Sequence, residues 1–285
     1  PEDDATKTIE LNLWKNIKRM CLLGRRSGIG ITAECDMLAA LGYKYGTKEA
    51  TNFAAEIQRL LTLNTYIESC DLVQIDGRAP FECFNYELEK DNPFLNRLAA
   101  SSEYYSQEFK SKWKGGRRNI ALLTIAPAGS VSIETQTTSG IEPLFMVKYK
   151  RRRKLDIDSL IKPDFIDKNG DRFSEYNVVH NKFIKWYSIY ENIDFNTARE
   201  ILEKIGDEEF DNIFKESPYF GATSNDCNWV EKVHMQGEIQ KYIDHSISVT
   251  VNLPKGTTED IVEQVYEEAW KSGCKGCTIY VDGSR

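Results

Sequence analysis

Residues 246–281 read SISVTVNLPKGTTEDIVEQVYEEAWKSGCKGCTIYV and have the clearest succession of secondary-structure signals in the sequence. Ser246–Asn252 alternates apolar and small polar side chains, which is the period of a strand with two unlike faces. An apolar stripe at helical spacing follows and ends before Gly273, and Cys277–Val281 has the composition of a second strand. Strand, helix and strand at this spacing predict a parallel pair joined by a crossover helix. The predicted fold class is therefore α/β.

The crossover helix also has a recognisable start. Thr257 is followed three residues later by Asp260, which resembles a capping box. We therefore expect the Thr257 side chain to cap this helix.

Toward the N-terminus, apolar periodicity and helix-ending residues predict helices over Asp4–Leu23, over about Ala33–Leu41 and from Ala50 onward. Ser27–Thr32 (SGIGIT) is short, apolar and glycine-rich, and it predicts a tightly packed buried strand. Asn119–Ile125 predicts another buried strand, which ends at Pro127. Met146–Tyr149 predicts a further strand.

Two long segments carry weaker patterns. Ala79–Lys114 contains Pro80 and Pro93 as breakers and is predicted to wrap the surface. Residues 150–221 are polar, aromatic and helical in pattern, and we interpret them as an excursion from the main fold.

Composition excludes several classes of protein. The net charge of −7 argues against general nucleic-acid binding. The basic run Lys150–Lys154 (KRRRK) predicts a solvated strand end or loop, with a nuclear signal or an anion-binding patch as alternatives. No apolar run approaches the roughly 20 residues of a membrane helix. Seven cysteines, an odd number, do not fit a secreted disulfide framework. We expect a soluble, cytoplasmic protein with no membrane or nucleic-acid partner.

The turn after Asn119–Ile125 is the best candidate for binding chemistry. It reads APAGSVS, Ala126–Ser132, and its small residues let backbone amides approach a ligand closely. A helix that begins near Ser130 would direct free amides and its dipole toward an anion such as phosphate. The pattern by itself is more often typical of a plain connection.

The longer run LLTIAPAGSVSIETQTTSGIEP, Leu122–Pro143, resembles the signature of class II (adenosylcobalamin-dependent) ribonucleotide reductases. Three further segments resemble the same family in order and spacing: GRRSGIGIT (Gly24–Thr32), DHSISVTVNLP (Asp244–Pro254) and GCKGCTIYVDGSR (Gly273–Arg285). The resemblance implies the second half of a ten-stranded α/β barrel, from the C-terminal half of the large chain. Residues 1–285 would form one partial catalytic domain, with 150–221 as a helical insertion.

Carried over position by position, the resemblance implies a substrate phosphate-binding site at the turn. Its residues would be Ala128, Gly129, Ser130, Val131 and Ser132. The family commonly has threonine at the positions of Ala128 and Ser130. The alanine therefore removes one hydroxyl donor, and backbone amides would have to serve instead.

The resemblance also implies an activity for the complete enzyme. That enzyme would reduce ribonucleotides to 2′-deoxyribonucleotides by radical chemistry, with adenosylcobalamin as the cofactor. The radical cysteine of the family lies in an asparagine-x-cysteine-x-glutamate motif, which does not occur in this sequence. No catalytic residue is therefore predicted here. We expect a ribonucleotide as substrate, an N-terminal half with the finger-loop cysteine as partner, and no turnover by this chain alone.

Three alternatives stay open at this point. The chain could be a stand-alone nucleotide- or phosphate-binding module, or a fragment of a class I ribonucleotide reductase. Class I relatives relay a radical through two adjacent tyrosines, whereas here Ile279 precedes Tyr280, which favours class II and leaves core packing for Tyr280. The third alternative is a thiol redox or metal-binding protein built on Cys274 and Cys277 (C-x-x-C), which we interpret as packing residues.

Four other polar residues are interpreted as structural. His180, His234 and His245 lie far apart in sequence and form no motif. Glu142, in the GIEP sequence, is expected to pair with a neighbouring cation.

Overall fold

A computed structural model describes residues 2–75, 77–156 and 158–284, with the side chains of 103–106 left out. The C-terminal segment matched above therefore ends one residue beyond the described part. The helices are α1 Asp4–Gly24, α2 Glu34–Ala40, α3 Lys48–Asp71, α4 Tyr86–Glu89, α5 Pro93–Ala100, α6 Glu103–Lys114, α7 Gly129–Thr135, α8 Asn181–Tyr190, α9 Phe195–Lys204, α10 Asp207–Lys215, α11 Trp229–Gln240 and α12 Glu259–Lys271. The strands are β1 Lys148–Lys154, β2 Phe165–Ile166, β3 Arg172–Val179, β4 Thr250–Leu253 and β5 Thr278–Val281.

The segment of residues 246–281 forms as predicted. β4 and β5 pair in parallel, with Thr250 opposite Thr278 and Leu253 opposite Val281, and α12 connects them. Val251 and Leu253 pack against Val265 of α12. The predicted capping residue is wrong, however. The N-cap residue is Thr258, and its side chain makes no capping hydrogen bond. The Thr257 hydroxyl donates to the Pro254 carbonyl and is therefore not a cap.

Parallel bridges extend this pair into a row of four extended segments. Residues 27–31 lie beside 121–125 through the bridge Ile29–Leu123, and 121–125 lie beside 245–249 through Ile125–Ile247. The chain of 245–249 then continues into β4, next to β5. All four segments run in the same direction, so their carboxyl ends share one edge.

The two faces of this row differ sharply. Ile247, Val249, Val251 and Leu253 are buried against helices, whereas Ser246 and Ser248 on the alternate positions are exposed. Ile29 is also 42% exposed, so the prediction of a buried strand at Ser27–Thr32 is wrong. Tight packing there is real, because a Cβ on Gly30 would lie 2.2 Å from the Thr124 carbonyl oxygen.

Helix α1 has an apolar stripe without a cover among the described residues. Ile9, Leu13, Ile17 and Met20 follow helical spacing and are 40–69% exposed. Gly24 at its end is its only buried residue. A stripe of this kind on a surface helix normally faces a core.

The segment Ala79–Lys114 does not wrap the surface as predicted. It contributes α4, α5 and α6, and α6 packs on α3 and α5. Phe109 and Trp113 are buried and their rings stack with centroids 5.8 Å apart. Pro93 stands in the first turn of α5, where proline is compatible with a helix, so it starts an element instead of breaking one.

Residues 150–221 are only partly helical. They contain α8, α9 and α10, but β1 enters the segment and pairs antiparallel with β3, which pairs with β2. The basic run Lys150–Lys154 is exposed in β1, as the interpretation of a solvated strand end requires. Two of its five charges are paired with acids of the neighbouring chain segments, Arg152 with Glu175 at 2.9 Å and Lys154 with Asp171 at 2.5 Å. Cross-strand ion pairs explain why a charged run is extended here.

The described residues show a mixed α/β fold but no closed barrel, and they do not confirm ten strands. Within the described ranges the parallel row is packed against helices on one side, and residues on its other face, such as Ser246 and Ser248, are exposed. No helix in the described ranges has the length and apolarity to cross a membrane.

Candidate functional site

The predicted phosphate turn lies at the shared carboxyl edge of the parallel segments. Leu123 and Ile125 are buried and paired on both sides, so they fix where the chain leaves the row. Ala126 and Pro127 follow, and α7 begins at Gly129 with Ala128 as its N-cap residue. This edge of a parallel sheet is where ligands of α/β proteins bind.

Two backbone amides at the start of α7 are free to donate hydrogen bonds in the described structure. The amides of Ser130 and Val131 lie in the first turn and have no acceptor in the described structure. Both residues are exposed, and a Cβ added to Gly129 would meet nothing within 4 Å. The Ser132 hydroxyl is already used, because it donates to the Gly129 carbonyl at 2.8 Å. The structure thus brings all five predicted residues into one turn, with open space in front of it.

The segment after α7 is fixed by a buried carboxylate on α2. The amide of Thr138 donates to Asp36 Oδ2 at 2.7 Å, and the Thr138 carbonyl accepts from the Ala33 amide at 3.0 Å. Thr32 adds a second contact, since its hydroxyl accepts from the Gly140 amide at 3.1 Å. Residues 138–140 are therefore attached to α2, and this attachment limits how α7 can move.

Asp36 also binds two side chains from distant parts of the sequence. His180 Nε2 lies 2.7 Å from its Oδ1, and the Tyr219 hydroxyl donates to the same oxygen at 2.8 Å. Burial alone would raise the pKa of Asp36. The hydrogen bond and charge of His180, with the Thr138 and Tyr219 bonds, lower it below its usual value. The carboxylate is therefore ionised at neutral pH.

The excursion also contacts the C-terminal end of α7. Asn181, the first residue of α8, donates from Nδ2 to Gln136 Oε1 at 2.6 Å. Gln136 is the residue that ends α7 and has a left-handed conformation, φ 55°. His180 and Asn181 therefore connect residues 150–221 to the candidate site at two adjacent points.

A second polar group supports β4 beside the turn. Glu142 Oε1 accepts from the Thr250 amide at 2.9 Å, and the ammonium of buried Lys232 donates to the Thr250 carbonyl. Burial lowers the pKa of Lys232, while the charge of Glu142 opposes that effect. Glu142 thus binds a backbone amide directly and interacts with a cation at longer range, which agrees with a structural role.

Glu34, at the start of α2, is the most unusual acid in the described structure. It is 1% exposed, and neither carboxyl oxygen has a hydrogen-bond partner among the described residues. Burial raises its pKa to about 8. It is therefore mostly protonated at neutral pH and cannot act as a fixed charge for the site.

The two cysteines of the C-x-x-C pair are partly buried and unpaired. Cys274 and Cys277 are free thiols that pack on the cluster around Val251 and Leu253. Burial raises the pKa of both, to about 12 for Cys274, which disfavours the thiolate. The described residues include no group of three or more histidine, cysteine or acidic side chains that could hold a metal.

Tyr280 is not a packing residue, contrary to the prediction. It is 39% exposed on β5, opposite Asn252 of β4 and on the face of the row that lacks helices. Its neighbours Ile279 and Val281 take the packed face instead.

Comparison with known proteins identifies the class to which this arrangement belongs. The family model described as ribonucleotide reductase, barrel domain, matches residues 7–280, so the chain belongs to that family. The match includes the turn, α7 and the four parallel segments.

Individual relatives confirm the predicted resemblance to class II large chains. The vitamin B12-dependent ribonucleoside-diphosphate reductase of Mycobacterium tuberculosis (strain CDC 1551 / Oshkosh) is 26% identical over 261 residues, 92% of this chain and 32% of that protein. The enzyme of the same name from Thermoplasma acidophilum is 24% identical over 271 residues, 95% of this chain and 30% of that protein. This chain therefore spans about a third of the length of these relatives.

A solved structure agrees on the fold. The class Id ribonucleotide reductase alpha subunit of Actinobacillus ureae aligns with a TM-score of 0.56 and 18% identity. The alignment covers 93% of this chain and 40% of that subunit.

Sequence reasoning missed the contacts that support the turn. Asp36, His180 and Tyr219 are far apart in the chain, and no motif connects them. The burial of Glu34 could not be predicted from the sequence either, because an acidic residue at the start of a helix is usually exposed and favourable there.

Proposed function

We propose that this chain is the substrate-holding half of the catalytic barrel of an adenosylcobalamin-dependent ribonucleotide reductase. The observation that carries the proposal is the turn at Ala128–Ser132, with two unpaired amides at the start of α7 and open space at Gly129. Backbone amides at a helix start suit the phosphates of a ribonucleotide. The names of the relatives, vitamin B12-dependent reductases, support the choice of cofactor and reaction.

In this proposal the chain positions the substrate. Phosphates held at Ser130 and Val131 would place the ribose over the open face of the parallel row, where Ser248 and Tyr280 are exposed. Fixing a reactant in this way can lower a barrier by about 7–11 kcal/mol in favourable cases. The 2′-hydroxyl would then leave as water and be replaced by hydrogen. A radical on a cysteine outside this chain would start the reaction, and two further cysteines of the complete enzyme would supply the two electrons and be oxidised to a disulfide.

We infer that the rest of the reductase covers the two surfaces without a partner here. One is the face of the row that carries Ser246 and Ser248, and the other is the apolar stripe of α1. Exposed apolar area of this extent normally marks an interface. The N-terminal half with the finger-loop cysteine is the occupant that the family resemblance implies.

The fit of adenosylcobalamin to this chain can be judged from the same surfaces. Its described residues form an open sheet face at the candidate site and do not enclose a group of that size. The proposal therefore assigns the cofactor to the complete enzyme, where it supplies the radical. The free thiols of the described chain agree with a reducing, cytoplasmic setting.

Hydrogen exchange of the complete reductase tests the proposal. A ribonucleoside diphosphate should slow exchange of the amides of residues 129–135, and the unphosphorylated ribonucleoside should not. Equal protection by both compounds, or protection confined to other segments, would overturn the assignment of the phosphates to α7.

A further inference from the structure

A cavity lies at the end of the parallel segments that is opposite to α7. Its volume is about 690 Å³, and its lining includes Arg26, Ile120, Ala121 and Asp244. These residues precede or begin three neighbouring segments, so the cavity is at the amino ends of the row. It shares no lining residue with the turn at Ala128–Ser132 and is independent of the proposed function.

The cavity has an excess of positive charge in a chain that is acidic overall. Three of its cations, Arg26, Arg97 and Lys275, have no carboxylate within 4 Å in the described part of the chain. Its other cations are each paired with a glutamate: Arg117 with Glu89, Lys241 with Glu238 and Lys271 with Glu267. The first three therefore have no direct ion pair in the described structure, and Asp244 is the one carboxylate in the lining near them.

The one acidic residue in the lining, Asp244, already forms hydrogen bonds within the protein. Asp244 accepts from the Tyr66 hydroxyl at 2.6 Å and from the amides of Leu122 and Leu123 at 2.7 and 2.9 Å. Against three unpaired cations, a single carboxylate leaves an excess of about two positive charges. A phosphate group carries a charge of that size.

One of the three cations is held in place by hydrogen bonds, and a second cation repels it. Lys275 donates from Nζ to the carbonyls of Ile243, Asp244 and His245, at 2.6–3.3 Å. Burial lowers its pKa, the charge of Asp244 raises it, and the charge of Arg97 lowers it. The guanidinium of Arg97 lies 6.0 Å from the Phe94 ring centroid. Two like charges held together without an anion between them are a destabilising arrangement that a bound anion would relieve.

An unsatisfied acceptor in the lining points independently to a ligand. Gln240 is 4% exposed, and its Nε2 donates to the carbonyls of Ile243 and His245 at 3.0 and 2.9 Å. Because both partners are acceptors, the other atom of the amide must be Oε1. That Oε1 is buried and has no hydrogen-bond partner among the described residues. A buried acceptor without a donor is costly, and a ligand hydroxyl would satisfy it.

We propose that this cavity binds a phosphorylated sugar, alone or as part of a nucleotide. The phosphate would lie between Arg26 and Arg97, whose guanidinium groups have donors to spare, with Lys275 adding charge. A sugar hydroxyl would donate to Gln240 Oε1. Phe94 supplies an apolar wall.

Hydrogen exchange and titration of the complete polypeptide that contains this chain test the site. The probes are ribose 5-phosphate, AMP, pyrophosphate and ribose. We expect ribose 5-phosphate to protect residues 92–97 and 271–275, with weaker protection by pyrophosphate and none by ribose. AMP that binds more tightly than ribose 5-phosphate identifies the source as a nucleotide, and equal or weaker binding identifies a free sugar phosphate. Protection of residues 129–135 is a separate readout, so this proposal and the one for α7 can fail independently.

Substitutions identify the residues responsible. Arg26→Gln and Arg97→Gln should each weaken ribose 5-phosphate binding about tenfold, because each removes a charge-assisted contact. The matched control is Arg153→Gln, an exposed arginine on β1 in the separate antiparallel sheet, which should leave binding unchanged. Absence of protection at millimolar ligand, or equal loss in the control, would overturn the site. Equal affinity for pyrophosphate and ribose 5-phosphate would overturn the role of Gln240.

Discussion

The imidazole of His180 lies 2.7 Å from the carboxylate of Asp36, which is 144 residues earlier in the chain. This contact joins the excursion at residues 150–221 to α2. The other oxygen of Asp36 holds Thr138, just after α7. The candidate phosphate turn is therefore supported by Asp36, which lies far from the turn in sequence and on a different helix.

Removal of the Asp36 carboxylate should be strongly destabilising. Asp36→Ala leaves His180 and the Thr138 amide without their partner, and we expect a loss of about 3–5 kcal/mol of unfolding free energy. Tyr219→Phe removes one hydroxyl and should cost about 1 kcal/mol. Denaturant titration measures both, with Asp211→Ala on exposed α10 as the control. Similar stability of Asp36→Ala and the control would contradict the network.

The contribution of Asp36 has a defined pH dependence. Its folded pKa lies below the usual value of 3.8, so its stabilisation is fully present above that value. The stabilisation is lost as the pH falls through the lowered folded pKa. The difference between wild type and Asp36→Ala should therefore shrink in acid, as measured by denaturant titration over a pH series.

Glu34 should have the opposite effect. Its folded pKa is about 8 and its usual value is 4.5, so the unfolded state releases the proton first as the pH rises. The wild type should lose stability between about pH 4.5 and 8, by a few kcal/mol in total. Glu34→Gln removes this titration, and it should be more stable than wild type at pH 8. Parallel pH profiles for the two proteins would show that Glu34 is not buried as an acid.

The stripe on α1 should make the isolated chain self-associate. Leu13→Gln and Ile17→Gln replace exposed side chains, so the fold should tolerate them. Each change should weaken self-association about tenfold or more, because apolar burial at the contact is lost. Analytical ultracentrifugation measures this, with Arg19→Gln, on the side of α1 away from the stripe, as the control. A monomeric wild-type chain would show that the stripe needs no cover.

Alkylation should separate the cysteines by burial. Cys21 and Cys83 are exposed and should react first with iodoacetamide at pH 8. Cys274 should react slowly because burial raises its pKa to about 12. Mass spectrometry of time points gives the order. Rapid labelling of Cys274 would favour the thiol redox alternative.

The limits of sequence reasoning follow from the range of the interactions. β4, α12 and β5 were predictable because periodicity and turns are local signals. The packing of Phe109 and Trp113 was not predicted. Pro93 was interpreted as a residue that breaks regular structure, whereas it begins a helix. The support from Asp36 and His180 depends on two segments meeting in space, which no spacing reveals.

The exposure of Tyr280 was missed for a related reason. A strand with one covered face and one open face has the same alternation whichever face is covered. Ile279 and Val281 occupy the packed face, and only the structure shows that nothing described covers the other.

The most direct test of the central claim is the affinity of the complete reductase for its ribonucleotide after Gly129→Val. A Cβ at Gly129 meets nothing within 4 Å, and the same is true of Gly206 at the start of α10, so Gly206→Val is a matched control. We expect Gly129→Val to weaken ribonucleotide binding about tenfold or more, because the added side chain occupies the space of the phosphates. Gly206→Val should bind like wild type. An unchanged dissociation constant in a folded Gly129→Val enzyme would contradict the account.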